Sequence, residues 1–278
     1  MDSIFLLIFA GFVIGTFGTL IGAGGGFILV PLLIVFYPKL SPQTTTAISI
    51  AVVAVNAISG SVAYVKSGRI DFKAGVVFAL YTIPGSILGV LTVPYLPQKI
   101  FNLLFGILLL VLSVYLFYKN RTASQTLENL PVGKGLKYRR LTDKAGVLYE
   151  YSYNQRHGIF ISILVGYLSP LLGIGGGIIH VPAMVHWLQF PVYIATATSH
   201  FILAVMATVS VVVNAINGTY NDPEIQKMIV WLAAGVVPGA QLGAYWSHRI
   251  KSHVIIKVLA GCLILVAVRI LMKSLQVY

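Results

Sequence analysis

Eight apolar stretches, near residues 4–36, 44–65, 72–93, 99–118, 157–187, 195–217, 225–247 and 254–273, take up most of this 278-residue chain. Each reaches the roughly 20 residues that a helix needs to cross a hydrocarbon core of about 30 Å. Only 9% of the residues are charged, against about 25% in an ordinary soluble domain, so too little polar surface exists to face water. The expected class is an all-α polytopic membrane protein, multi-pass in the cell inner (cytoplasmic) membrane, with the lipid bilayer as a partner. The first stretch, MDSIFLLIFAGFVIG, has neither a basic leader nor a small-residue cleavage site and reads as a retained helix. Cys262 is a lone thiol within a span and reads as packing filler.

The stretches repeat. GAGGGFILVP (22–31) matches GIGGGIIHVP (173–182), TAIS (46–49) matches TATS (196–199), and PGSILG (84–89) matches PGAQLG (238–243), in one order and 150–154 residues apart. One helical unit is therefore present twice. Residues 1–118 form the first transmembrane repeat, 119–156 a polar connection, and 157–278 the second repeat. The connection carries Lys119, Arg121, Lys134, Lys137, Arg139, Arg140, Lys144 and Arg156 against Glu128, Asp143 and Glu150. That excess of positive charge places it in the cytoplasm, and the alternation around Asp143–Gly146 suggests a small hairpin on the membrane face.

The net charge of +12 raises nucleic acid as a partner. However, the basic residues sit in the connections, without a basic groove interleaved by aromatics, so anionic lipid headgroups account for them and nucleic acid does not.

The short loops fix relative direction. Lys66, Arg69 and Lys73 lie between the TAIS and PGSILG helices, whereas the matching loop of the second half carries Asp222, Glu224 and Lys227, and the next loop His248, Arg249, Lys251 and His253. If positive charge marks the cytoplasm in both halves, equivalent helices cross in opposite directions, as two inverted repeats with an odd number of passages each. About four spanning helices per half then require one Gly-broken re-entrant or doubled-back segment, and both termini lie outside. Eight straight spans with parallel halves remain the competing count.

The glycine-rich segment is where the doubling belongs. Three consecutive glycines face every direction and cost a helix about 1 kcal/mol each, which argues for unwound backbone at Gly24, Gly25, Gly26 and at Gly175, Gly176, Gly177. Unwound backbone at membrane depth is tolerated only where it is buried or lines a wet cavity. The helix that restarts after each break offers N–H groups with partial positive charge, a site for a small inorganic or organic anion. The neighbouring hydroxyls Thr46, Ser49, Thr198 and Ser199 are candidate donors to that anion. Helix capping is their ordinary alternative. A nucleotide-binding loop does not fit, since no strand precedes GAGGG.

All seven carboxylates fall at predicted ends or loops, so the site has donors without acids, which disfavours a cation carrier. His180 and His200 stand opposite Leu29 and Ile50 of the first half and are candidates for proton coupling. Asn56, Asn214, Asn217 and Gln241 read as contacts between helices.

The paired glycine motifs, followed twice by TAIS/TATS and PGxxLG, resemble the TauE/SafE family of sulfite exporters and anion permeases. The resemblance covers the chain outside 119–156. It implies a carrier that exports sulfite, sulfoacetate or another sulfur-containing anion. Two departures stand out: TTTAIS in the first half where the family commonly has a Thr-Ser pair, and the two histidines. The expected activity is secondary transport of a small oxyanion by alternating access, possible proton coupling falling to the histidines, with a passive anion channel as the alternative. No enzyme is expected, since H-E-x-x-H is absent and Ser199–His200 adjacency points the two side chains to different helix faces. No cofactor or metal ion is expected, and a homodimer is retained among the partner states.

Overall fold

Polar side chains cap the start of four helices. Ser41 Oγ accepts from Thr44 N ahead of Pro42, the Asp71 carboxylate accepts from Ala74 N, Asn154 accepts from Arg156 N and His157 N, and Asp222 accepts from Glu224 N ahead of Pro223. Two of the seven acids are thus helix caps, which is why they sit at segment ends.

The computed structural model describes residues 4–118, 135–247, 264, 267, 268 and 270. Its elements are α1 (Ile4–Ile21), α2 (Gly26–Phe36), α3 (Pro42–Ser67), α4 (Phe72–Thr92) with a 3-10 turn at Val93–Tyr95, α5 (Gln98–Tyr118), β1 (Leu136–Thr142), β2 (Leu148–Asn154), α6 (Gln155–Leu172), α7 (Gly177–His186), α8 (Val192–Ile216) and α9 (Pro223–Trp246). Among the described residues, five helices are long and apolar enough to cross a membrane: α1, α3, α4 with its 3-10 extension, α8 and α9. The stretches 4–36 and 157–187 are each broken into two helices. The stretch 254–273, Cys262 and the basic loop from His248 to His253 lie mainly or wholly outside the described residues, as do Lys119, Arg121, Glu128 and Lys134.

Small residues decide how the long helices pair. A Cβ on Gly11 or Gly15 of α1 would strike the backbone of Leu232 or Val236, and one on Gly239 or Gly243 of α9 would strike Phe12 or Thr16. Helices α1 and α9 therefore lie backbone to backbone and run the same way. The α4 and α6 pair is built alike, with Gly85 against Ile163 and Gly166, Gly89 against Tyr167, and Gly166 against Thr82. Lipid supplies no hydrophobic drive between helices, so close approach of this kind is what holds them. Helices α3 and α8 fill the middle, joined by Ile50, Val53, Ala54, Ala57, Leu203, Met206 and Ala207.

A two-stranded antiparallel sheet, paired from Leu136↔Asn154 to Thr142↔Leu148, caps the end of the bundle where α3 meets α4. Arg69 Nε donates to Asp143 Oδ2 at 3.2 Å, Tyr151 Oη donates to Asp71 Oδ2 at 2.8 Å, and Lys144 N donates to Ser67 O at 3.1 Å. Arg139 Nε lies 3.1 Å from Asp71 Oδ2, without hydrogen-bond alignment. Tyr151 and Tyr153 pack on Phe190, with ring centroids 4.6 and 5.0 Å apart. The sheet is thus bound to the helices by buried charge as well as by aromatic surface.

Candidate functional site

Each glycine run breaks its helix and turns the chain back. At the first, Gly22, Gly24 and Gly25 have φ of 77°, 77° and 85°, values that only glycine adopts without strain. Ala23 N and Gly24 N both donate to Gly18 O, and the next helix begins where Ile28 N and Leu29 N both donate to Gly25 O. At the second, Gly173, Gly175 and Gly176 have φ of 69°, 79° and 59°, and Ile179 N and His180 N donate to Gly176 O. Helices α2 and α7 start on glycine, with no side-chain cap. The N–H groups of Gly25, Gly26 and Phe27 find no backbone acceptor among the described residues, nor do those of Gly175, Gly176 and Ile178. These are the unpaired first-turn donors that an anion can use.

After the break α2 runs back along α1, since Leu7 and Ala10 share a small apolar pocket with Leu29, Leu32, Leu33 and Tyr37. Helix α7 runs back along α6: Gly176 sits on Ser169 and Val165, and His180 Nε2 lies 3.4 Å from Ser162 Oγ. The two hairpin tips meet. A side chain on Gly26 would strike Gly173 O and Ile174, and one on Gly177 would strike Gly22 O and Ala23. Val53 of α3 closes over both Gly24 and Gly175, and Leu203 of α8 over Gly24.

The candidate side chains divide. Ser49 Oγ donates to Gly173 O at 2.6 Å and so holds the second break directly. Thr46 lies against Gly173 through its Cα, while its hydroxyl donates to Gln43 O at 3.0 Å within its own first turn. Thr198 Oγ1 accepts from Asp71 N at 3.0 Å and faces the α3–α4 loop, not the break. Ser199 Oγ is buried without a partner. The two histidines are apart: His180 lies among α6, α7 and Phe78 of α4, and His200 lies among α1, α3 and α8, with Nε2 3.3 Å from Thr19 Oγ1.

Sequence reasoning missed Thr19, Gly60 and Tyr64, which surround His200. The signal available was the i, i+4, i+8 spacing of Asn56, Gly60 and Tyr64, one face of a helix. Of the amides, Asn56 bonds Thr19 of α1 and Gln241 bonds Ser59 of α3, while Asn214 donates to Ser210 O of its own helix. Among the described residues the buried carboxylates are Asp71 and Asp143, both at the sheet end, and no group of three or more His, Cys, Asp or Glu is placed to hold a metal ion.

Apolar helices long enough to span, packed around two broken hairpins whose tips share buried donors, define a multi-pass membrane protein of transporter type. The sulfite exporter TauE/SafE family matches residues 7–270, and the chain belongs to that family. It is 32% identical to the probable membrane transporter protein YunE of Bacillus subtilis (strain 168), over 98% of this chain and 99% of that one. A probable membrane transporter protein of Methanocaldococcus jannaschii is 28% identical over 70% of this chain and 66% of its own. One of Xylella fastidiosa (strain Temecula1) is 24% identical over 99% and 97%. No solved structure matches the chain at a significant level.

Proposed function

We propose that the chain is a secondary transporter that exports a small sulfur-containing oxyanion, sulfite or an organosulfonate such as sulfoacetate, across the cytoplasmic membrane by alternating access. The observation that carries this reading is the meeting of two helix breaks whose first-turn N–H groups lack backbone acceptors, with Ser49 bonded into one of them. An anion receives those donors, and no buried acid stands among them to repel it. The substrate set is Gly24, Gly25, Gly26, Thr46, Ser49, Gly175, Gly176, Gly177, Thr198 and Ser199, with Thr198 at its periphery. One or both of His180 and His200 take a proton during the cycle.

Reciprocal packing supports two inverted repeats, 1–118 and 157–278: α1 pairs with α9 and α6 with α4, each half lending its first helix to the PGxxLG helix of the other. Lys66, Arg69, Lys73, Lys137, Arg139, Arg140, Lys144 and Arg156 lie on the sheet, its turn or the segment ends beside it, and this concentration of positive charge supports reading that end as cytoplasmic. The closing of Val53 and Leu203 over the tips favours a carrier over a passive anion channel.

Flux of sulfite, sulfate, thiosulfate, sulfoacetate and simple carboxylates into proteoliposomes at two pH values tests the reading. Saturable, proton-sensitive flux of a sulfur oxyanion is expected. Ohmic single-channel current identifies a channel, and flux of none of these anions overturns the assignment.

A further inference from the structure

The link between α3 and α4 and the link between α8 and α9 make corresponding contacts at opposite ends of the bundle. Asp71 N donates to Thr198 Oγ1 at 3.0 Å, so the first link holds the TATS segment. Tyr220 Oη donates to Ala47 O at 3.0 Å, and Gln43 Nε2 to Thr219 Oγ1 at 3.3 Å, so the second link holds the TAIS segment. Ala47 and Ser67 lie toward the two ends of α3, about 30 Å apart at 1.5 Å per residue.

The two ends are closed differently. The bonds from Thr219 and Tyr220 to α3 are neutral. At the other end the β-sheet lies over the link. Tyr151 Oη donates to Asp71 Oδ2, which also faces Arg139 Nε, while Arg69 Nε donates to Asp143 and Lys144 N to Ser67 O. The acid stands on the link in one ion pair and on the sheet in the other, so exchanging partners would set like charges together, and the sheet has one seating. Tyr151, Asp71 and Thr198 are all buried and form a chain of hydrogen bonds from the sheet to the TATS segment. Tyr153 adds an edge contact to Phe78 of α4, centroids 5.8 Å apart.

The sheet is carried by α6. β2 ends at Asn154 and α6 begins at Gln155, with the Asn154 side chain as its cap, so no loop separates them. A lone two-stranded hairpin has little stability of its own in water, and its seat on the helices supplies the rest.

We propose that the β-hairpin is a strap that holds the cytoplasmic end shut, and that it lifts from the α3–α4 link each time that end opens, releasing Ser67, Arg69 and Asp71 while it stays joined to α6. The polar nature of the seat suits a contact that opens, since water can take over the groups that separate. The inference rests on the carrier reading and on the assignment of this end to the cytoplasm.

The test fastens the strap in the full chain. A Cβ on Gly68 would lie 3.4 Å from Lys144 N and 3.5 Å from its Cγ, so Gly68→Cys and Lys144→Cys, with the single cysteine removed as Cys262→Ser, place two thiols within reach of one short bridge. Dibromobimane joins them by thioethers, which sulfite does not cleave as it does disulfides, and monobromobimane labels both without joining them. Labelled sulfite flux in proteoliposomes is expected to fall in proportion to the bridged fraction, read from bimane fluorescence, and to persist after monobromobimane. Bridged protein that transports as fast as the monobromobimane control overturns the strap. Hydrogen exchange of residues 136–154 in the wild type decides where the variant fails to fold: faster exchange with saturating sulfite is expected, and unchanged or slower exchange overturns the proposal. Absence of sulfur-oxyanion flux in the wild type, measured before any bridge is made, removes the carrier reading itself, and this inference with it.

Discussion

Asp143 Oδ2 accepts from Arg69 Nε at 3.2 Å, with the carboxylate side chain fully buried, and so ties the turn of the β-sheet to the loop between α3 and α4. Burial pushes the Asp143 carboxyl up, but the N–H groups of Val147 and Ala145 and the Arg69 guanidinium outweigh it and hold the group below its ordinary range. A carboxyl with a depressed native value adds stability above its unfolded value of about 4, and loses it as pH falls through the native value. Docking of the sheet is therefore expected to be constant at neutral pH and to loosen only below about pH 4. Hydrogen exchange of residues 136–154 across that range checks this, and Asp143→Asn removes the acid step.

Arg69→Ala acts at every pH. It strands a buried carboxylate, at a cost of about 3 kcal/mol in docking. Limited trypsin digestion at Lys144 is expected to speed up markedly, while an exposed control, Lys227→Ala, whose ion pair with Glu224 lies in solvent, leaves the rate unchanged.

Tyr151→Phe removes the hydrogen bond to Asp71 and leaves its Oδ2 facing Arg139 alone. The loss is expected to lie near 2 kcal/mol, as for a hydrogen bond to a charged group, read as a lower thermal midpoint in detergent. Burial, and after it the nearby Asp71 carboxylate, raise the Tyr151 hydroxyl far above its ordinary value. A raised native value keeps its contribution intact up to the unfolded value of about 10, so no alkaline transition from this group is expected below that pH.

Gly26→Ala and Gly177→Ala oppose intrinsic propensity to packing. Alanine favours helix by about 1 kcal/mol over glycine, yet in each case the added methyl meets backbone of the other tip, which has no rotamer with which to yield. Both substitutions are expected to destabilise the protein and abolish flux. Gly146→Ala, where nothing lies within 4 Å, costs only the roughly 1–2 kcal/mol of a left-handed residue and leaves flux intact.

Ser49 and Ser199 occupy matching sequence positions and are expected to separate. Ser49→Ala loses a bond to Gly173 O and about 1 kcal/mol of stability. Ser199→Ala removes a hydroxyl that has no partner, so the thermal midpoint holds while the KM for the anion rises. Unchanged KM in Ser199→Ala removes this residue from the substrate set.

The glycine runs were legible because no packing role explains three in succession, and the structure does break both helices there. The helical class was legible from apolar length alone, and the turn around Asp143–Gly146 from alternation on either side of it. What the hydroxyls bond was not legible: Thr46 and Thr198 occupy equally polar positions, yet one serves its own first turn and the other Asp71, a choice made by the neighbouring helix. Thr19 and Tyr64 were hidden for a similar reason. Their significance lies in meeting His200 across three helices, and spacing within one helix reports only a shared face. The acids were placed at segment ends from sequence, but that Asp71 and Asp143 would be buried against arginines 68–74 residues away follows from how the sheet folds back.

The seating of Gly26 on Gly173 O, and of Gly177 on Gly22 O, has a mechanical outcome. Each hairpin fills the volume that the other would sweep if it straightened or withdrew alone. Under the proposed carrier reading, motion at one membrane face would thereby be geared to motion at the other, since neither tip can move without displacing its neighbour.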